Sequence, residues 1–203
     1  MRLYDGGRAP NPRRVRIFLS EKGISVPVVA VDLGAMEHRS DSYAAINPLR
    51  RVPALELDDG TIITESIAIC RYFEAIQPEP ALFGTDPVEI ATIEMWQRRI
   101  ELHLLAGIQH VFRHLHPGMK EHEVPQVAAW GEANKPRVLE FLAILDQTLA
   151  DRRFAAGDKY SVADITGLVA LDFVRAAKLE VPAEFAHVGR WHAELRARPS
   201  AQA

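Results

Sequence analysis

The sequence predicts an α/β N-terminal domain of βαβ-α-ββα order followed by an all-α C-terminal domain, and three observations carry that expectation. Up to about residue 78, short strand-like runs alternate with helical ones. QPEPALFGTDP (77–87) then holds three prolines and a glycine and has the composition of a linker. From about residue 88 onward no strand pattern recurs. The boundaries expected are a domain at 1–78, a linker at 79–87 and an all-helical domain at 88–203.

The elements follow in order. LY at 3–4 forms a first strand and leads into the loop DGGRAPNPRR (5–14). Asn11-Pro12 opens a helix, because Asn is a preferred N-cap and Pro suits the first helical position. Val15, Phe18, Leu19 and Lys22 continue it at helical spacing, and Gly23 stands where a C-terminal cap belongs. VPVVAVDL (26–33) is the second strand, parallel to the first because a helix intervenes. A short helix near 41–46 precedes a hairpin made by PALEL (53–57), the Asp58-Asp59-Gly60 turn and TII (61–63). A further helix starts near Ser66, with Ile69, Tyr72, Phe73 and Ile76 on one face. Beyond the linker, Asp86-Pro87 starts a helix over 88–115 whose periodicity includes Trp96, Ile100 and Leu104. A second long helical stretch covers 125–150, where Pro136 is expected to bend or break it. GDKYSVADITGLVALDF (157–173) opens a third, with Ser161 and Asp164 at capping-box spacing, and 187–198 closes the chain.

Composition narrows the function. A chain of 203 residues can bury a substantial core, and its net charge of -3 does not suit nucleic acid or an anionic membrane surface as main partner. No apolar run approaches the ~18 residues of a membrane span, and MRLYDGG lacks the apolar core of a signal peptide. Cys70 is the only cysteine, so no intrachain disulfide exists and a cytoplasmic location is expected. Without C-x-x-C, dithiol exchange is excluded, and Cys70 among Ile69, Tyr72 and Phe73 is expected to be a buried structural thiol. His110 and His114 stand four residues apart, a spacing that can hold zinc, but neither HExxH nor a cysteine cluster accompanies them, so no metal is expected.

The stretch NPLRRVPALELDDGTIITESIAICRYF (47–73) is the richest in chemistry. A hairpin ends at Glu65-Ser66, where a helix begins and exposes unpaired N–H groups suited to a carboxylate. Ser66 can donate its hydroxyl to that carboxylate and Glu65 can accept from an ammonium, which together would recognise an α-amino acid head group. From spacing alone the pair reads as a helix cap and a first-turn acid.

N-P-x-x-x-V-P-x-L, a glycine turn and E-S-x-A-I-x-x-Y resemble the glutathione-binding half of the cytosolic glutathione transferases, and GDKYSVADI resembles that family's helix-start motif. The resemblance spans nearly the whole chain. It implies a thioredoxin-like first domain and a helical domain forming the electrophile pocket. Pro53 would be cis, turning the main chain of Val52 toward the cysteinyl part of glutathione. Glu65 and Ser66 would hold the γ-glutamyl end, and His38 and Arg51 match positions at or beside the glycine carboxylate, with Arg50 an alternative to Arg51. Glutathione would be a co-substrate rather than a bound cofactor, its partner a small apolar electrophile, and the assembly a homodimer serving detoxification. A glutathione-dependent peroxidase or disulfide-bond reductase, or a non-catalytic glutathione-binding or regulatory protein, are the alternatives.

Such an enzyme must supply thiolate. A thiol of pKa ~8.5 is only a few per cent ionised at pH 7, and lowering it by about two units requires roughly 2.7 kcal/mol. Most members of the family use a Tyr, Ser or Cys for this, but their serine and cysteine slots fall here on Ala9, Pro10 and Asn11, and Tyr4 stands early, on the first strand. The PNPxRVRI opening resembles an atypical fungal and bacterial group that lacks those residues. Three sources of activation are expected to share the work: the Asn11 amide, the first helix N-terminus with Arg13, Arg14 and Arg16, and Gln109, Arg113 and His114 of the second domain.

Overall fold

The computed structural model describes residues 1–203. They fall into two compact units, 1–81 with 202–203 and 82–201. In the first, β1 (Arg2–Asp5), α1 (Pro10–Lys22), β2 (Val28–Ala30), α2 (Asp41–Ala44), β3 (Ala54–Glu56), β4 (Ile62–Thr64) and α3 (Ser66–Ile76) follow in order. They build a four-stranded sheet of order β2-β1-β3-β4, with β1 and β2 parallel and the other pairs antiparallel. Alternation along the strands sends side chains to two layers. Leu3 and Leu55 are buried with Val15, Phe18, Ile69 and Phe73 of α1 and α3. Tyr4 and Ala54 instead join Val31 and Tyr43 in a separate cluster. This is the mixed sheet of a thioredoxin-like domain.

Two local expectations change. The cap of α1 is Ala9, not Asn11, with Pro10 as the first helical residue. A residue before proline is driven to extended backbone, and Ala9 takes it (φ −64, ψ 140). β2 is three residues rather than eight: Pro27 brings no N–H to the ladder, and after Val31 the chain turns through the Asp32 side chain, which accepts from Ala35 N–H at 3.0 Å. At the other end of α1, Gly23 adopts the left-handed conformation (φ 64) and closes the helix as expected. The buried Lys22 ammonium there donates to the carbonyls of Gln77 (2.9 Å), Pro78 (2.9 Å) and Pro80 (2.6 Å) and pairs with Glu74 at 2.5 Å.

The second unit is helical. α4 (Pro87–Arg99), a π-helical segment (Ile100–Leu105) and α5 (Ala106–Leu115) form one continuous run, capped by Asp86, whose carboxylate accepts from Val88 and Glu89 N–H at 2.9 Å. Ile93, Trp96, Ile100, Leu104, Ile108 and Val111 are buried along it. α6 (Ala128–Ala150) contains Pro136 and is not broken by it. Pro136 and Glu132 lie on the exposed side, so the Glu132 carbonyl that loses its donor faces water. Meanwhile Val138, Phe141, Leu142, Leu145 and Leu149 bury the opposite side. α7 (Val162–Phe173) carries the expected capping box: Asp164 accepts from the Ser161 N–H at 2.9 Å and the Ser161 hydroxyl at 3.0 Å. Its other oxygen accepts from Ala155 N–H and Trp191 Nε1 at 2.9 Å, tying α7 to α8 (Ala186–Arg196). No helix is long and apolar enough to cross a membrane.

Candidate functional site

The registers Tyr4↔Ala54 and Ala54↔Thr64 bring three segments to one end of the sheet. They are the loop after β1, the Val52-Pro53 step before β3, and the Glu65-Ser66 step after β4. The Val52-Pro53 bond is cis. Val52 donates and accepts no main-chain hydrogen bond within the chain, although its side chain packs on the Tyr4 cluster. Gly6 lies directly against it; a Cβ there would stand 2.7 Å from Val52 Cγ2 and 2.9 Å from Leu33 Cδ1. Only glycine permits so close an approach.

Glu65 is the cap residue of α3 and holds a positive φ of 66. For a non-glycine residue this costs on the order of 1 kcal/mol or more and is concentrated at functional positions. Its carboxylate is exposed and caps nothing, leaving the first-turn N–H groups of α3 without a side-chain acceptor. Ser66 is buried, and its Oγ accepts from Arg14 Nη1 at 3.0 Å.

Two arginines of the opening loop are engaged within the first unit. Arg14 is fully buried against Ser66. Arg16 Nη1 donates to Asp5 at 2.5 Å and Nη2 to the Gly7 carbonyl at 3.0 Å, bracing the glycine turn. Arg13 remains at the helix start, half-buried. Asn11 occupies the second helical position, half-buried, and is freed from capping because Ala9 takes that place. The Tyr4 hydroxyl donates to Glu56 at 2.7 Å; burial and this carboxylate raise its pKa. Cys70 is fully buried, and burial pushes its thiol up to about 12, as befits a structural thiol.

His38 lies buried in a 3₁₀ turn (Glu37–Arg39). Arg51 is exposed beside Val52, and its carbonyl accepts from Tyr43 Oη at 2.9 Å and Asn47 Nδ2 at 2.7 Å, which fixes the approach to Pro53. Arg50 is engaged elsewhere, donating to the Arg39 carbonyl and pairing with Asp41 at 3.1 Å.

In the helical unit, Gln109, Arg113 and His114 are all half-buried on α5. Arg113 pairs with Glu123 at 3.1 Å, and its carbonyl accepts from Gln126 Nε2 at 2.8 Å. His114 Nδ1 accepts from the N–H of Val127, the residue that caps α6, at 3.1 Å. Both side chains thus anchor the segment between α5 and α6. The His110 and His114 rings stack at 6.2 Å, and desolvation lowers the His110 pKa.

The glutathione S-transferase N-terminal domain model matches residues 9–76, and the C-terminal domain model matches residues 117–199. The chain belongs to the glutathione S-transferase family. Glutathione S-transferase 2 of Saccharomyces cerevisiae is 39% identical over 203 residues, covering 98% of this chain and 87% of the yeast protein. Among solved structures, a glutathione S-transferase domain-containing protein of Marinobacter aquaeolei superposes with a TM-score of 0.95 at 40% identity, covering 98% of this chain and 99% of that one. Gtt2 of Saccharomyces cerevisiae gives a TM-score of 0.95 at 38% identity, covering 100% and 99%. The transferase is therefore an enzyme of the Gtt2-like part of its family.

Arg14, which the sequence offers as one of the loop's charges, lies inside, on Ser66. The signal was present: Arg14, Phe18 and Lys22 follow at four-residue steps, a single helix stripe, and all three are buried.

Proposed function

We propose that this transferase binds glutathione at the β1–β3–β4 end of its sheet and activates the thiol for attack on a small apolar electrophile, in an atypical class that uses no Tyr, Ser or Cys for activation. The observation that carries the reading is the open Val52 main chain beside cis-Pro53, at the same sheet end as the strained Glu65 and the uncapped start of α3. Val52 N–H and C=O pair with the cysteinyl backbone in strand fashion. Ser66 and the first-turn N–H groups receive the γ-glutamyl carboxylate, while Glu65 accepts from its ammonium. Arg51 and His38 serve the glycine carboxylate. The thiolate is received by Asn11 and the N-terminus of α1, while Arg113 and His114 brace the segment between α5 and α6. The helical unit supplies the apolar surface for the electrophile. Val88, Met95 and Leu102, exposed at seven-residue spacing, support a homodimer.

Conjugation of a chromogenic aryl halide to glutathione tests the reaction. Turnover of hydroperoxides or mixed disulfides without conjugation would favour the peroxidase or reductase reading. Glutathione binding with no turnover would favour a regulatory protein. For the site itself, Ser66→Ala is expected to weaken glutathione by about 1–2 kcal/mol in calorimetry with the fold intact; unchanged affinity removes Ser66 from the site.

A further inference from the structure

We propose that Arg14 is a positioning residue for the γ-glutamyl carboxylate: it orients the Ser66 hydroxyl and places a buried positive charge immediately behind it. The inference rests on Ser66 meeting that carboxylate. Arg14 Nη1 lies 3.0 Å from Ser66 Oγ, with Arg14 0% and Ser66 5% exposed. A serine hydroxyl has one proton and two acceptor lone pairs. Since Arg14 can only donate, Ser66 Oγ is the acceptor, and its own proton is directed away, toward the open start of α3. A hydroxyl accepting a charged donor is also a stronger donor itself.

The charge acts as well as the bond. A guanidinium stays protonated throughout the accessible pH range. Held without exposure, it is screened far less than a surface cation. It adds to the partial positive charge of the α3 first turn, and an incoming carboxylate is stabilised by both. The link also joins α1 to α3, so the helix that starts the thiol loop and the helix that starts the carboxylate site are set against each other by one side chain.

The test compares Arg14→Met, Arg14→Gln and Arg14→Lys with Ser66→Ala, each confirmed folded by near-UV circular dichroism. Two ligands are used: glutathione, and glutathione amidated at its γ-glutamyl α-carboxylate. Arg14→Met should weaken glutathione roughly tenfold, the scale of one charge-assisted hydrogen bond. KM for glutathione should rise by a similar factor while kcat stays within about twofold, because the contact is made equally in ground and transition states. Affinity for the amide should be nearly unchanged by Arg14→Met. Arg14→Gln, which keeps a donor without charge, should fall between, and Arg14→Lys should recover much of the loss. Should Arg14→Met not fold, Arg14→Gln carries the same comparison. The proposal is overturned if Ser66→Ala weakens glutathione and the Arg14 variants do not, or if Arg14 variants lose both ligands equally, which marks a purely structural role. If Ser66→Ala changes neither ligand, the serine assignment itself is wrong and the inference falls with it.

Discussion

At the sheet end of residues 1–81, Val52 keeps its main-chain groups open, Glu65 caps nothing, and Asn11 sits inside its helix with no capping duty. On α5 of residues 82–201, Arg113 and His114, expected to do comparable chemistry, are already bonded to Glu123 and Val127. The difference teaches that a polar residue's type and spacing do not reveal whether the fold leaves it available. Availability depends on partners remote in sequence, such as Glu123 for Arg113 or Asp5 for Arg16. In the first unit the open groups are held by braces behind them, Arg14 and Arg16, while Lys22 ties down the far end of α1. In the second, polar side chains such as Asp164 serve as the braces themselves.

The sharpest way to break this contrast is to remove a brace from each unit. Asp164→Ala would leave Ala155 N–H, Ser161 N–H, the Ser161 hydroxyl and Trp191 Nε1 without their acceptor, at a cost of roughly 4 kcal/mol or more in denaturant unfolding. Its pH dependence is distinctive. Burial raises the Asp164 pKa to about 6 from an ordinary 3.8, so folding favours the protonated form. This contribution therefore grows as pH falls through about 6 and is complete below the ordinary value. It is lost as pH rises through 6, a dependence that Asp164→Asn should flatten. Lys22→Met should cost about 3 kcal/mol, because Glu74 and three carbonyls lose their cation in a buried setting. Gly6→Ala is smaller in stability, about 1–3 kcal/mol from its contacts with Val52 and Leu33. It should nevertheless weaken glutathione clearly, since Val52 must move; unaltered affinity would separate the Val52 main chain from binding.

Much of the architecture was legible because local signals and tertiary packing agree. The Ser161–Asp164 capping box, the Gly23 cap, the Asp86-Pro87 start and the Trp96–Ile100–Leu104 stripe are all where their residue chemistry puts them. The misses arose where two local rules compete or where packing overrides one. Asn11-Pro12 and Ala9-Pro10 both offer a helix start, and the earlier proline prevailed. Pro136 does not break α6: it lies on the exposed side while the opposite side is buried. In the candidate site, the turn segments were readable as motif, but the engagement of Arg14, Arg16, Arg113 and His114 was not, since their partners lie 10 to 52 residues away or in another element.

As proposed, Asn11 and the start of α1 stabilise the thiolate, whereas Arg113 is engaged with Glu123. The most direct measurement is the pKa of glutathione bound to Asn11→Ala, Arg113→Ala and the double variant, followed by thiolate absorbance. Asn11→Ala should raise the bound pKa by about one unit, part of the two or so required, with the α1 N-terminus retaining the rest. Arg113→Ala should leave it within a few tenths of a unit, and the double variant should match Asn11→Ala. A bound pKa that rises with Arg113→Ala and stays put with Asn11→Ala would contradict the account.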